Sequence, residues 1–347
     1  MSTGDLTPGL SRPSTPSVHA AVPATTLLLP LGLLDSGTTR TRLRIWDGER
    51  VSWQGERLVG ARDVAQAGAS GPLVHALHDL IASVPAAQRP VHLACSGMIT
   101  SNVGLLEVPH VNVPAGAAEV AAGLQHMAFP ELPPIMLIPG IRTPPQPGPD
   151  GWQDADVLRG EEVEVFGLRE TLNLHGSAQF LHLGSHHKLV QMDAAGHVTR
   201  TVTSLAGEAL LALSQHTILA SSVPALGDGA PLDPAAWRSG LQAARTRGTG
   251  RALFLVRLGQ QLGTLTRESA GAFLHGVAAH LTLDVLRGSP RDVPLVIYGH
   301  DAQATLLTAH LARDGWSDLR HCDADCVDRA TVLGTLAVLR AAGALHA

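Results

Sequence analysis

The chain of 347 residues is 45% apolar and 16% charged, with only 3% aromatic side chains. That balance excludes wholesale disorder, a coiled coil and a fibre, and the length suits about two domains at roughly 150 residues each. Thirty acidic against 25 basic residues leave a net charge of −5, which offers no general attraction to nucleic acid or an anionic membrane.

Residues 1–24 are rich in Ser, Thr, Pro and Ala and read as a disordered leader outside the fold. The longest apolar run, residues 27–34, contains Pro30 and Gly32 and falls far short of the ~20 residues of a membrane helix. Asp5 before it and Asp35 after it speak against a secretory signal. Cys95, Cys322 and Cys326 are too few and too scattered for a disulfide framework, and Cys322-x3-Cys326 lacks the second ligand pair of a zinc site. A reducing cytoplasm fits.

In chain order, β-like residues 31–34 and the alternating Leu43-Arg44-Ile45 precede a helical stripe of Leu73, Leu77, Leu80, Ile81 and Val84. Strand-like residues 91–94 and 135–138 follow. Residues 143–151 hold four prolines and two glycines and must be a loop, with a helix expected from near Asp156. Residues 179–202 give three short β-like runs broken at Gly184 and Gly196. Helical stripes return at 207–220 and 268–286, with β-like runs at 253–256 and 295–298. The pattern predicts an α/β chain with mixed sheets, arranged as two related lobes that each open on a glycine-punctuated hairpin. There is no residue-level internal repeat.

Five segments can carry chemistry. Asp35-Ser36-Gly37-Thr38-Thr39 is a tight hairpin whose N–H groups and hydroxyls can face an anion, with Asp35 able to hold hydrated Mg2+. An ordinary turn uses the same residues. Gly184-Ser185-His186-His187-Lys188 is a second hairpin, and Lys188 is the only lysine among 25 basic residues. An ammonium is a compact charge suited to a phosphate oxygen that moves during transfer, whereas a guanidinium imposes a planar fork.

Arg159-Gly160-Glu161-Glu162 opens a helix. The carboxylates suit the helix dipole there, and either can act as a general base, the pair raising one member's pKa. Arg159 can neutralise an anionic substrate or pair with a Glu. Residues 97–104, with Ser101 and Asn102, follow a strand at the end where ligands collect in α/β sheets. Tyr298-Gly299-His300-Asp301-Ala302 is another strand-to-helix junction able to approach a purine. The 18 histidines show no His-x3-His beside a Glu, and neither a Walker A loop nor G-x-G-x-x-G is present.

Taken in order, these segments resemble the 2-dehydro-3-deoxygalactonokinase family, within the actin, hexokinase and Hsp70 superfamily. The resemblance runs from about residue 31 to the C-terminus. It is carried by GMITSNVG at 97–104 with Val113-Pro114 downstream, Ile138-Pro139-Gly140, VLRGEE at 157–162, GSHHKLVQ at 184–191, and Gly207-Glu208 with His216 beyond. Departures are Pro30 and Gly32 in the first strand, Ser185 and His187 in the second hairpin, Ala206 before Gly207, and Gly299-His300-Asp301 at the adenosine segment.

The resemblance implies two ribonuclease-H-like lobes with mixed five-stranded sheets flanked by helices, the actin-like ATPase fold. The lobes would span 25–177 and 178–347, with the last helix packing back on the first and ATP in the cleft between them. It also implies kinase activity on the 6-hydroxyl of 2-dehydro-3-deoxy-D-galactonate in galactonate catabolism, with ATP and Mg2+. Asp35, Gly37, Thr38, Thr39, Gly184, Ser185, His186, Gly299, His300 and Asp301 would hold the nucleotide. Lys188 and Glu161 or Glu162 would be catalytic, Glu161 being preferred, and Ser101, Asn102 and Arg159 would grip the sugar acid. The partners read are the sugar acid, ATP and a second copy of the chain, with no nucleic acid and no membrane. An exopolyphosphatase-like phosphohydrolase and a non-catalytic nucleotide- or sugar-acid-binding protein are the alternatives.

Overall fold

A computed structural model describes residues 17–19 in backbone alone, and 27–129, 131–225 and 231–345 in full. The first half forms β1 (Ser17–His19), β2 (Leu31–Ser36), β3 (Thr41–Trp46), β4 (Val51–Arg57), α1 (Ala61–Ala67), α2 (Gly71–Ser83), β5 (His92–Gly97), β6 (Val111–Asn112), α3 (Ala117–Ala122), β7 (Gln125–Ala128), β8 (Ile135–Leu137), β9 (Ile141–Thr143), β10 (Asp156–Leu158) and α4 (Glu161–Thr171). The second half forms β11 (Ala178–Leu183), β12 (His187–Met192), β13 (Val198–Ser204), α5 (Ala206–His216), α6 (Pro234–Arg247), α7 (Thr249–Gln261), α8 (Arg267–Val285), β14 (Leu295–Gly299), α9 (Asp301–Arg313), β15 (Leu319–Cys322) and α10 (Ala324–Ala341).

The second sheet runs β13-β12-β11-β14-β15, with β11, β14 and β15 parallel and β12 and β13 turned back as a meander. The first sheet repeats that order as β4-β3-β2-β5-β8, with β2, β5 and β8 parallel. It is seven-stranded rather than five-stranded, because β7 and β1 add to its edge antiparallel. An exposed edge offers a row of unpaired backbone groups that such additions satisfy. Ser17–His19 therefore departs from the expected leader, while the leader's other residues, 1–16 and 20–24, lie outside the described residues. A small sheet, β10-β9-β6, makes contacts with β13.

Three further expectations are corrected. Residues 253–256 lie within helix α7, because a short apolar run has no period that separates a strand from a buried helix. Asp156 starts strand β10, paired with β9, and the helix begins only at Glu161. Cys322 and Cys326 form a disulfide: Cys322 ends β15, Asp323 caps α10 through the Cys326 N–H, and the cap brings the two Cα atoms to 5.6 Å. Pro30 and Gly32 do not break the first strand. Pro30 precedes it, and Gly32 admits Leu93, whose Cδ2 would stand 2.5 Å from any added Cβ.

Two helix pairs cross at glycines, which lets their backbones touch. Gly167 of α4 faces the carbonyl of Ala330 in α10 while Gly334 of α10 faces that of Val163 in α4. Gly240 and Gly276 do the same for α6 and α8. α10 comes from the second half but packs Val332, Leu336 and Leu339 against Leu31, Leu33, Ala94 and Met136 of the first sheet. Buried Arg44 of β3 adds an ion pair to Asp328 of α10. Among the described residues no helix is long and apolar enough to cross a membrane.

Candidate active site

The first hairpin, between β2 and β3, is closed by a bond from the Gly37 N–H to the Arg40 carbonyl, 2.8 Å. The first N–H groups of α1, on Ala61 and Arg62, take the carbonyls of Gly37 and Thr38. That leaves the side with Thr39, Arg40 and Arg42 facing a cleft. The second hairpin, between β11 and β12, is held by α5 in the same way. The Glu208 N–H donates to the Ser185 carbonyl, 2.7 Å, and Gly207 lies so close that an added Cβ would meet the Gly184 carbonyl at 2.1 Å.

Both hairpins line one cavity of about 620 Å3. Thr39, Arg40 and Arg42 form one wall; Gly184, Ser185 and Gly207 form part of the other. Gly299, His300 and Asp301 line the same cavity. Gly299 adopts φ +108°, and a Cβ there would meet the Leu183 carbonyl at 2.5 Å, so the junction requires glycine. His186, expected at the phosphates, instead turns its ring to Glu208, 3.0 Å away on α5. Thr38 supplies its carbonyl to α1, and its side chain is not among the cavity lining.

Beside this cavity, Gly97 (φ +83°) and Gly160 (φ +113°) meet closely, which seats the start of α4 against the end of β5, where Gly97 in turn abuts the Ser36 carbonyl of β2. Burial raises the Asp35 carboxyl; Arg44 and Arg42 counter the effect and Glu161 adds to it. Burial would raise Glu161 too, but the Lys188 ammonium at 2.8 Å and the His182 imidazole outweigh it and hold Glu161 well below the usual carboxylate range. Burial and the neighbouring Glu161 charge push Glu162 up to about 8. Its Oε2 accepts from the Gly160 N–H, 2.7 Å, while its buried Oε1 has no partner among the described residues.

The sugar-acid candidates are less free than expected. Both terminal nitrogens of Arg159 are engaged: one bonds the Thr100 carbonyl and hydroxyl, the other the Val108 carbonyl and the His110 ring. The guanidinium is fixed by the 97–108 loop, so neither a free anion-binding group nor a side-chain pair with Glu161 is formed. Ser101 Oγ donates to the Met98 carbonyl, 2.7 Å, and accepts from the Val103 N–H. Asn102 is exposed.

Several cleft residues escaped sequence reasoning. Arg40 and Arg42 sit two and four positions beyond the Gly37-Thr38 bend, where alternation along β3 alone sends side chains to one face. His275 and Gln303, linked by a 2.8 Å bond and nearly inaccessible, line the cavity beside His300. His275 sits in α8, which is apolar almost all round, so no amphipathic signal marks it. A second cavity of about 470 Å3, walled in part by Arg169, Glu170, His175 and His197, lies at the far end of α4 and holds none of the expected site residues.

The lobes and their cleft define a protein of the two-lobed actin-like ATPase and sugar-kinase class. Residues 35–336 match the family model described as 2-keto-3-deoxy-galactonokinase, and the chain belongs to that family. It is 30% identical over 190 residues to the 2-dehydro-3-deoxygalactonokinase of Escherichia coli (strain K12), a match spanning 55% of this chain and 59% of that protein. Among solved structures it is similar to a Sinorhizobium meliloti protein assigned as a 2-dehydro-3-deoxygalactonokinase, with TM-score 0.70 and 26% identity over 90% of this chain and 98% of that one.

Proposed function

We propose that the chain is an ATP-dependent kinase that transfers a phosphoryl group to the 6-hydroxyl of 2-dehydro-3-deoxy-D-galactonate, in the cytoplasm and in galactonate catabolism. The observation that carries it is the meeting of two hairpins from opposite lobes on one cavity, next to a buried Lys188–Glu161 pair. Phosphoryl transfer needs charge neutralisation on the phosphate oxygens, in-line placement of the nucleophile and exclusion of water. The hairpins and Lys188 provide the first, and closure of two lobes provides the last.

Asp35 fits hydrated Mg2+: it is an oxygen donor whose charge is disfavoured by burial and by Glu161, a condition that a cation relieves. Among the described residues no group of three or more metal-binding side chains exists, as suits an ion held mainly by water and substrate phosphates. When bound, Mg2+ would neutralise phosphate charge. Glu161 takes the proton of the attacking hydroxyl, because it is the member of the pair that is ionised at neutral pH. While paired it is a weak base, and its proton affinity rises once Lys188 turns to the phosphoryl group. Glu162 stays neutral below about pH 8. Arg159 orders the loop that carries Ser101 and Asn102 to the sugar acid.

An ATP-consumption screen over 2-keto-3-deoxy sugar acids tests this directly, with transfer to the galactonate derivative expected. Phosphate release from ATP or polyphosphate without a sugar acid would instead establish the phosphohydrolase. Nucleotide binding without any product would establish a non-catalytic member.

A further inference from the structure

Three adjacent strands carry one polar row. Register places His182 of β11 beside Lys188 of β12 on one side and Tyr298 of β14 on the other. The row faces α4, and each oxygen of Glu161 has its own neighbour in it: Lys188 Nζ lies 2.8 Å from Oε2 and His182 Nδ1 lies 3.7 Å from Oε1.

The imidazole is tightly confined. It stacks on the Tyr298 ring with centroids 4.9 Å apart and planes 23° from parallel. A Cβ on Gly184 would stand 2.6 Å from its Cε1, so the bend of the second hairpin rests on the ring. His182 Nδ1 is shut off from solvent and has no hydrogen-bond partner within reach among the described residues. A buried ring nitrogen is costly in that state, and the nearest ion-pairing acceptor is the Glu161 oxygen that Lys188 leaves untouched. A shift of under an ångström would complete the bond.

We propose that His182 is a positioning residue of the transfer site, whose Nδ1–H closes on Glu161 Oε1 and keeps that carboxylate in place when the Lys188 ammonium leaves it for the phosphoryl group. The assignment rests on the kinase reaction proposed above. It also gives the Gly184 bend a direct mechanical route to Glu161, through the ring on which it sits.

The test compares the full-length wild type with His182→Ala and His182→Asn, whose amide N–H falls near the Nδ1 position. His182→Ala should lower kcat about ten- to a hundredfold while both KM values stay within about twofold, since a misplaced group costs turnover more than binding. His182→Asn should recover most of that loss, with similar thermal midpoints in all three proteins. Equal loss in the two variants, or a kcat loss matched by raised KM and a lower midpoint, overturns the proposal. If the wild type phosphorylates no sugar acid, the kinase reading fails separately, and the contact is decided by histidine side-chain 15N NMR. The His182 resonances, assigned by their absence in His182→Asn, should move in Glu161→Gln; unchanged resonances overturn the proposal.

Discussion

Lys188, the only lysine in the chain, places its ammonium 2.8 Å from Oε2 of Glu161, with each side chain about one-tenth exposed. Breaking a buried pair from one side leaves the other charge uncompensated, typically a cost of about 3–5 kcal/mol. The pair also ties the first turn of α4 to β12, a strand of the sheet on which α4 packs Val163, Phe166 and Leu168.

Replacing Lys188 by Arg keeps the charge but imposes a planar fork in a space shaped for a point charge. Turnover should fall roughly 10²–10³-fold, the scale of losing one donor to a transition-state oxygen, with the sugar-acid KM changed far less. Steady-state kinetics with the sugar acid varied at saturating MgATP checks this. Equal losses in kcat and affinity would make Lys188 a binding or folding residue.

Glu162 links stability to pH. Its folded value of about 8 stands above its ordinary value of 4.5, so between these limits the folded chain binds more protons than the unfolded one. Its contribution is fully present below about pH 4.5 and is lost as pH rises through about 8. Glu164, pushed up to about 7 by burial despite the opposing His182 charge, acts with the same sign. Glu162→Gln should therefore flatten the decline in melting temperature across that window and melt above the wild type at pH 9. A parallel pH dependence in both proteins would show that Glu162 is not held neutral. Glu161→Gln, in contrast, should abolish most turnover at every pH.

The hairpins, the strand-to-loop junction at Gly97 and the glutamates at the start of α4 were legible because each is punctuated by glycine or charge at a period break. The duplication of strand order in the two sheets was not, since it resides in backbone pairing and not in repeated residues. Nor was the commitment of Arg159 to Thr100 and Val108, which lie 59 and 51 positions away in sequence. His182 gave no signal at all: along β11 it reads as one polar position among apolar ones, and only the register of three strands sets it beside Lys188 and Tyr298.

Gly207 presses on the carbonyls of Gly184 and Ser185, where a Cβ would stand at 2.1 and 2.8 Å. Both contacts are backbone, so Gly207→Ala must displace the second hairpin. Affinity for MgATP, measured by calorimetry, should fall about tenfold or more, one decade being about 1.4 kcal/mol, while sugar-acid binding is retained. Unchanged nucleotide affinity would remove this hairpin from the phosphate site.

The crossing of α4 and α10 bears on both stability and chemistry. A Cβ on Gly167 would stand 1.7 Å from the Ala330 carbonyl, and one on Gly334 would stand 1.7 Å from that of Val163. Neither backbone can yield without separating the helices, and α4 carries Glu161 and Glu162 at its first turn. Alanine at either position gains helix propensity of about 1 kcal/mol but overpacks the interface, which typically costs about 1–3 kcal/mol and more where backbone is struck. Net destabilisation is expected in urea unfolding for both variants. Turnover should drop beyond what the unfolded fraction explains, because the shift in α4 moves Glu161 away from Lys188. A variant as stable as the wild type would mean that the helices are not in contact at these glycines.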